Sequence, residues 1–125
     1  MGIWKGDLQV LLYTKEDEFA LCRDFYQAVL EQEPYYTWDE GPNDRGAKFH
    51  AGRGTIGVLC QDHPGTTGPV ILNLETEAVD EEFGRLCAVS GLSRANAPRT
   101  TSYGTRFFTL TDPVGNRINL YRSVR

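Results

Sequence analysis

Tyr103-Gly104-Thr105-Arg106-Phe107-Phe108-Thr109-Leu110-Thr111-Asp112-Pro113-Val114-Gly115-Asn116-Arg117-Ile118-Asn119-Leu120 carries most of the architectural information in this chain. Arg106 to Thr111 and Arg117 to Arg122 read as two strands flanking the turn Asp112-Pro113-Val114-Gly115-Asn116. Within that turn Pro113 presets its own φ, Gly115 tolerates a positive φ, and Asp112 and Asn116 have side chains that bond the nearby backbone. Turns everywhere favour such residues, so the turn by itself has a structural role and says little about function. Side chains alternate across a strand, which sends Ile118 and Leu120 to a core and leaves Arg117, Asn119 and Tyr121 on the other face.

Upstream, Val70-Ile71-Leu72-Asn73-Leu74 is a strand, and Val79, Phe83, Leu86, Cys87 and Val89 draw a helical stripe ended by Gly91. Arg94 to Ala97 forms a short strand before Pro98. The first half repeats this order. Leu8 to Tyr13 is a strand, Thr14 is placed to cap a helix whose first turn holds Glu16, Asp17 and Glu18, and Phe19, Cys22, Phe25, Tyr26, Val29 and Leu30 make its apolar stripe. Pro34 stops that helix. Tyr35 to Trp38 follows as a strand, Gly41 to Gly46 as a long turn, and Ala47 to Ala51 with Thr55 to Cys60 as a hairpin around Gly52-Arg53-Gly54. Two halves with one element order imply an internal repeat, with module one at about 6–61, a polar linker at 62–68 and module two at about 69–123. The expected fold is α+β: two βαβββ modules forming a curved mixed sheet around a concave pocket, with helices on the outer face.

Composition sets the bounds. The 125 residues suit one domain with a real core, and 40% apolar with 24% charged residues is ordinary globular usage. A net charge of −4 disfavours nucleic acid as a partner. Met1 to Gly6 contains Lys5 but is followed by no long apolar stretch, so the expectation is a cytoplasmic protein without a secretion signal or membrane span. Cys22, Cys60 and Cys87 lie far apart in apolar contexts with no C-x-x-C pair, and read as buried thiols.

The stretch Tyr103 to Leu120, with Phe25-Tyr26-Gln27-Ala28-Val29-Leu30 in the first half and the repeated βαβββ order, resembles the glyoxalase, bleomycin-resistance and extradiol-dioxygenase (vicinal oxygen chelate) superfamily. In metal-dependent members the resemblance implies ligands on the first and last strands of each half. Those positions fall on Gln9, with Asp7 or Leu8 in its place if the first strand's register is shifted, and on Pro69, Gly57 and Asn119, the last standing where the family usually has Glu. Divalent metals want imidazole or carboxylate here, whereas two of the four residues offer no side-chain donor and two are neutral amides. No metal and no cofactor is therefore expected.

The same alternation sorts candidate ligand contacts. Gln9 and Tyr13 face the pocket from the first strand, Asn73 and Glu75 from the fifth, and Asn119 and Tyr121 from the last. Trp38, beside Tyr35 and Tyr36, either stacks on a flat ligand or fills the core or a dimer contact. His50 points into the pocket if Phe49 takes the core. Arg106 either pairs with an anionic ligand or faces solvent or Asp112, and Glu75 is either a base, a holder of a cationic group or part of a salt bridge. His63 in the linker reads as a solvated side chain. No serine or cysteine sits in a nucleophile motif, and Gly52-Arg53-Gly54 is no phosphate loop.

Three functions remain open. The first is a small-molecule-binding protein without the usual metal site, sequestering an aromatic or cationic compound; the acidic net charge fits a cationic ligand. The second is a lyase, isomerase or dioxygenase with a non-standard or partner-completed active site. The third is an interaction module. The resemblance also implies a homodimer.

Overall fold

The computed structural model describes residues 8–61, 71–89, 91–92 and 94–124. The chain divides into two compact units, Met1–His63 and Pro64–Arg125. The linker expected at 62–68, with His63, lies outside the described residues.

Each unit is one βαβββ module. In the first, β1 (Gln9–Tyr13), α1 (Phe19–Leu30), β2 (Tyr36–Asp39), β3 (Arg45–Ala51) and β4 (Gly54–Cys60) form a sheet of order β1-β4-β3-β2. β1 runs parallel to β4, and the other pairs are antiparallel. In the second, β5 (Ile71–Glu75), α2 (Val79–Leu86), β6 (Arg94–Ala95), β7 (Arg99–Thr100), β8 (Thr105–Thr111) and β9 (Arg117–Ser123) form a sheet of order β5-β9-β8-β6, with β7 also on β8. The repeat shows in the register. Gln9 pairs with Thr55 and Ile71 with Arg117, the same sequence separation in both parallel ladders. Each ladder closes alike, Thr14 N–H donating to Leu59 O and Thr76 N–H to Tyr121 O.

In each module the helix covers one face of its own sheet. The α1 stripe Phe19, Cys22, Phe25, Tyr26 and Val29 is buried, and packs on β3 and β4 through Ala47, Phe49, Ile56 and Val58. In module two, Val79 and Leu86 of α2 are buried with Phe108, Leu110, Ile118 and Leu120 of β8 and β9, and the Phe83 and Phe108 rings meet edge-on, 5.4 Å apart at 74°. Burial of these apolar side chains is the main stabilising term. Among the described residues no helix is long and apolar enough to cross a membrane.

Several local expectations are corrected. Thr14 does not cap α1: it is buried, and its hydroxyl donates to Leu59 O at 3.0 Å, tying β1 to β4. Helix α1 begins later, at Phe19, after a turn in which Glu18 Oε1 accepts the Lys15 N–H. It ends before Pro34, at a left-handed Glu31 (φ 53°) whose N–H returns to Gln27 O. The α2 stripe stops at Leu86 rather than running to Val89, which leaves Cys87 exposed. Module two breaks its outer strand into β6 and β7 around Pro98, which has no N–H to give a ladder.

The thiols therefore differ. Cys22 and Cys60 are buried, and Cys60 Sγ donates to Glu16 Oε2 at 3.1 Å. Burial, then the Glu16 carboxylate, pushes the Cys60 thiol up to about 11. Iodoacetamide at neutral pH is expected to alkylate Cys87 alone in the native protein and all three cysteines once it is unfolded, read by mass spectrometry. Native labelling of Cys60 ahead of Cys87 would contradict the packing.

Candidate functional site

The second module has a concavity on the sheet face away from its helix. On β8, Phe108 and Leu110 point to α2, so Thr105, Phe107 and Thr109 point the other way. On β9, Ile118 and Leu120 are buried against the helix, and Arg117, Asn119 and Tyr121 take the open face. Ile71, Asn73 and Glu75 join them through register with Arg117, Asn119 and Tyr121. The result is a hollow of about 380 Å³ lined by Ile71, Asn73, Phe107, Asn119 and Tyr121, with Tyr103 and Thr105 at the loop side. Its walls are aromatic and aliphatic, and its polar groups are two amides, a threonine hydroxyl and two tyrosine hydroxyls, the usual make-up of a small-molecule site. Thr109 Oγ1 lies 2.7 Å from Asn119 Oδ1 and donates to it, which leaves the Asn119 amide N–H groups for other partners.

Three of the expected contacts, Asn73, Asn119 and Tyr121, thus line one hollow. Glu75 shares their strand face, opposite Tyr121, but is not part of the lining. Arg106 goes the other way. Its Nε and Nη2 bind both oxygens of Asp80 on α2, at 2.8 and 2.6 Å, and Nη1 donates to Thr100. The Arg106 hydrogen bonds hold the Asp80 carboxyl below the usual carboxylate range, and Asp80 in turn raises Arg106. The guanidinium therefore clamps the start of the helix and is not presented on the ligand face.

Gln9, Tyr13, Trp38 and His50 belong to module one, all on the face away from α1. Phe49 is fully buried, so its neighbour His50 faces outward, where it stacks on Tyr35 at 4.1 Å and 12°. Trp38 lies across Gly46, its register partner, and its Nε1 donates to Asp44 Oδ1 at 3.1 Å, so the indole is held within its own sheet. Next to it Arg45 bridges Asp39 at 3.0 Å and Glu16 at 3.7 Å. The Cys60 hydrogen bond, with the Asn43 N–H, lowers the Glu16 pKa. A depressed carboxylate stabilises the fold above its unfolded pKa, and that contribution fades as the pH falls through the folded value.

The sequence reading passed over Tyr103, Thr105 and Phe107 as contacts. Thr105 and Phe107 carry a signal, since they alternate with Phe108 and Leu110; Tyr103 carries none, because a loop positions it. The metal positions also shift. The matching ladders equate Gly57 with Asn119, but they equate Gln9 with Ile71 and not with Pro69, which lies outside the described residues. Ile71 has no donor. The Leu11 side chain lies across Gly57, 3.1 Å from where a Cβ would stand, so any side chain there would have to displace it. Asn119 Oδ1 already accepts a hydrogen bond. Among the described residues no group of three or more His, Cys, Asp or Glu is disposed to hold a metal ion. Gln9, Ile71, Gly57 and Asn119 offer a divalent ion neither imidazole nor carboxylate.

Neither a family model nor a curated protein matches the sequence. Solved structures do match the fold. TnmS3, an antibiotic binding protein from Streptomyces sp. CB03234, superposes with a TM-score of 0.75 at 20% identity over 98% of this chain and 99% of its own. A member of the glyoxalase/bleomycin resistance protein/dioxygenase superfamily from Sphaerobacter thermophilus gives 0.68 at 22% identity over 95% and 98%. A glyoxalase/bleomycin resistance protein from Catenulispora acidiphila gives 0.67 at 19% identity over 94% and 97%. The paired βαβββ modules of this chain thus have the fold of the glyoxalase/bleomycin-resistance/dioxygenase superfamily.

Proposed function

We propose that this protein binds a small, flat organic molecule in the hollow on the open face of module two and holds it without a metal ion. The observation that carries the reading is the convergence of Phe107, Tyr121 and Ile71 with the amides of Asn73 and Asn119 around about 380 Å³. Aromatic walls give stacking area, and sparse amides fix orientation. The likeness to an antibiotic binding protein supports a sequestering role over a catalytic one. An isomerase using Glu75 or His50 as its base has less support: Glu75 stands outside the lining, and the His50 ring is stacked on Tyr35 in the other module. A cytoplasmic homodimer belongs to the same reading, with exposed Leu11 and Tyr36 on the open face of module one as its contact surface.

Naphthamide, a flat neutral probe, tests this. It is expected to shift the amide NMR signals of Asn73, Phe107 and Asn119, to raise the melting temperature, and to do both equally in the presence of EDTA. Asn119→Ala is expected to weaken it about tenfold, the usual consequence of losing one buried hydrogen bond. Binding that needs added metal, or shifts confined to module one, would sink the reading.

A further inference from the structure

We infer that the module-two hollow selects an anionic planar ligand, an aromatic carboxylate, and that Arg99 supplies the counter-charge. The inference rests on the reading of the hollow as the binding site.

It starts from the break in the outer strand. Ala95 pairs with Leu110 and Arg99 with Phe107, so Asn96, Ala97 and Pro98 stand against only Thr109 and Phe108. Asn96 N–H still donates to Thr109 O, which leaves Ala97 and Pro98 opposite Phe108 as a one-residue bulge. Module one has no counterpart, since β2 pairs with β3 residue for residue from Tyr36 to Asp39. Without the extra residue Pro98 would stand opposite Phe107. With it, Arg99 takes that place and its guanidinium lies over the Phe107 ring, 5.0 Å from the centroid. Bulges recur beside binding sites because they re-aim a side chain in this way.

The re-aimed cation is uncommitted. Among the described residues Arg99 has no carboxylate partner, unlike Arg106 on the helix side, which is bidentate to Asp80. Contact with the Phe107 ring occupies no N–H donor, so the guanidinium keeps its donors for a carboxylate. Phe107 is also a wall of the hollow. The same Phe107 and Arg99 border a smaller recess of about 210 Å³ opened by the bulge. Arg99 lines the recess and not the hollow, and Phe107 is the residue the two share, so a carboxylate on a ring in the hollow has to reach past Phe107 to meet the guanidinium.

Charge distribution points the same way. The lining itself carries neither acid nor base, so the charges beside it decide. Arg117, in register with Ile71, adds a second cation to this face, and Glu75, its one acid on β5, pairs in register at the opposite end of the strand. Residues 64–125 hold seven arginines against six acids, while residues 1–63 hold six bases against eleven. The acidic excess of the chain therefore belongs to module one, and the whole-chain charge is a poor guide to what module two attracts.

Naphthoate, naphthamide and naphthylmethylammonium, which share one ring system and differ in charge, decide the matter by calorimetric titration at low ionic strength against the full chain. Naphthoate is expected to bind about tenfold tighter than naphthamide, with the ammonium weakest. Arg99→Gln, an exposed substitution that removes the charge and keeps a polar side chain, and whose folding is checked by circular dichroism, is expected to bring naphthoate to the naphthamide level while leaving naphthamide within about twofold. Equal affinity for naphthoate and naphthamide in the wild type, or an undiminished naphthoate preference in Arg99→Gln, overturns the inference and leaves the hollow as the site. Tightest binding of the ammonium also overturns it. Failure of every probe to shift Asn73, Phe107 and Asn119 overturns both this inference and the reading beneath it.

Discussion

Asp112→Ala is expected to lower the unfolding free energy by about 2–4 kcal/mol, a large effect for a residue in a surface hairpin. The carboxylate is fully buried. Oδ1 accepts the Val114 and Asn116 N–H groups at 3.0 and 2.8 Å, and Oδ2 accepts Asn116 Nδ2 at 2.9 Å. Backbone bonds from Asp112 N–H to Asn116 O and from Gly115 N–H to Asp112 O close the turn, with Gly115 at φ +98°. Alanine leaves three donors without their acceptor in a partly buried turn where water replaces them incompletely. Asp112→Asn keeps one carbonyl oxygen for the backbone donors but turns an NH₂ on Asn116, and should cost about half as much. Urea unfolding followed by circular dichroism measures both. A change below about 0.5 kcal/mol for the alanine variant would show that the turn does not depend on this carboxylate.

That turn was legible in the sequence because everything that makes it is local. The same holds for faces set by strict alternation: a core Phe49 implies an outward His50, and core Ile118 and Leu120 imply an outward Asn119 and Tyr121. Legibility ends where a partner comes from another element. Arg106 gives no sign along its own strand that Asp80, on the helix, will hold it bidentately. Module one repeats the device, with Arg45 reaching Glu16 just before α1, a likeness visible only once the hairpins are superposed. Thr14 has the composition of a helix cap, yet the carbonyl of Leu59 claims its hydroxyl. Trp38 read as a stack for a flat ligand or as a filler of the core or a dimer contact, and the sequence did not show that it lies over Gly46, which meets it through the β2–β3 register. Matching Pro69 to Gln9 failed for a similar reason: ladder register, not apolar run length, sets where a strand starts.

Phe107 and Phe108 are adjacent and chemically identical, and their alanine substitutions are expected to fail in different ways. Phe108 is 1% exposed and meets Phe83 of α2 edge-on. Its removal deletes a core ring and leaves a cavity that the sheet and helix close only in part, so Phe108→Ala should cost about 3–5 kcal/mol. Phe107 faces away from the helix, half-buried, between the hollow and the guanidinium of Arg99. Phe107→Ala should cost about 1 kcal/mol of stability at most, yet weaken a flat ligand about tenfold or more, because the stacking surface and the support for Arg99 go together. Urea midpoints and naphthoate titrations on the two variants separate the effects. Phe108→Ala, where it remains folded, should bind within a few-fold of the wild type, since its side chain never reaches the open face. Equal stability losses would mean that the strand does not divide a packed face from a binding face. Equal binding losses would mean that the ligand is held elsewhere.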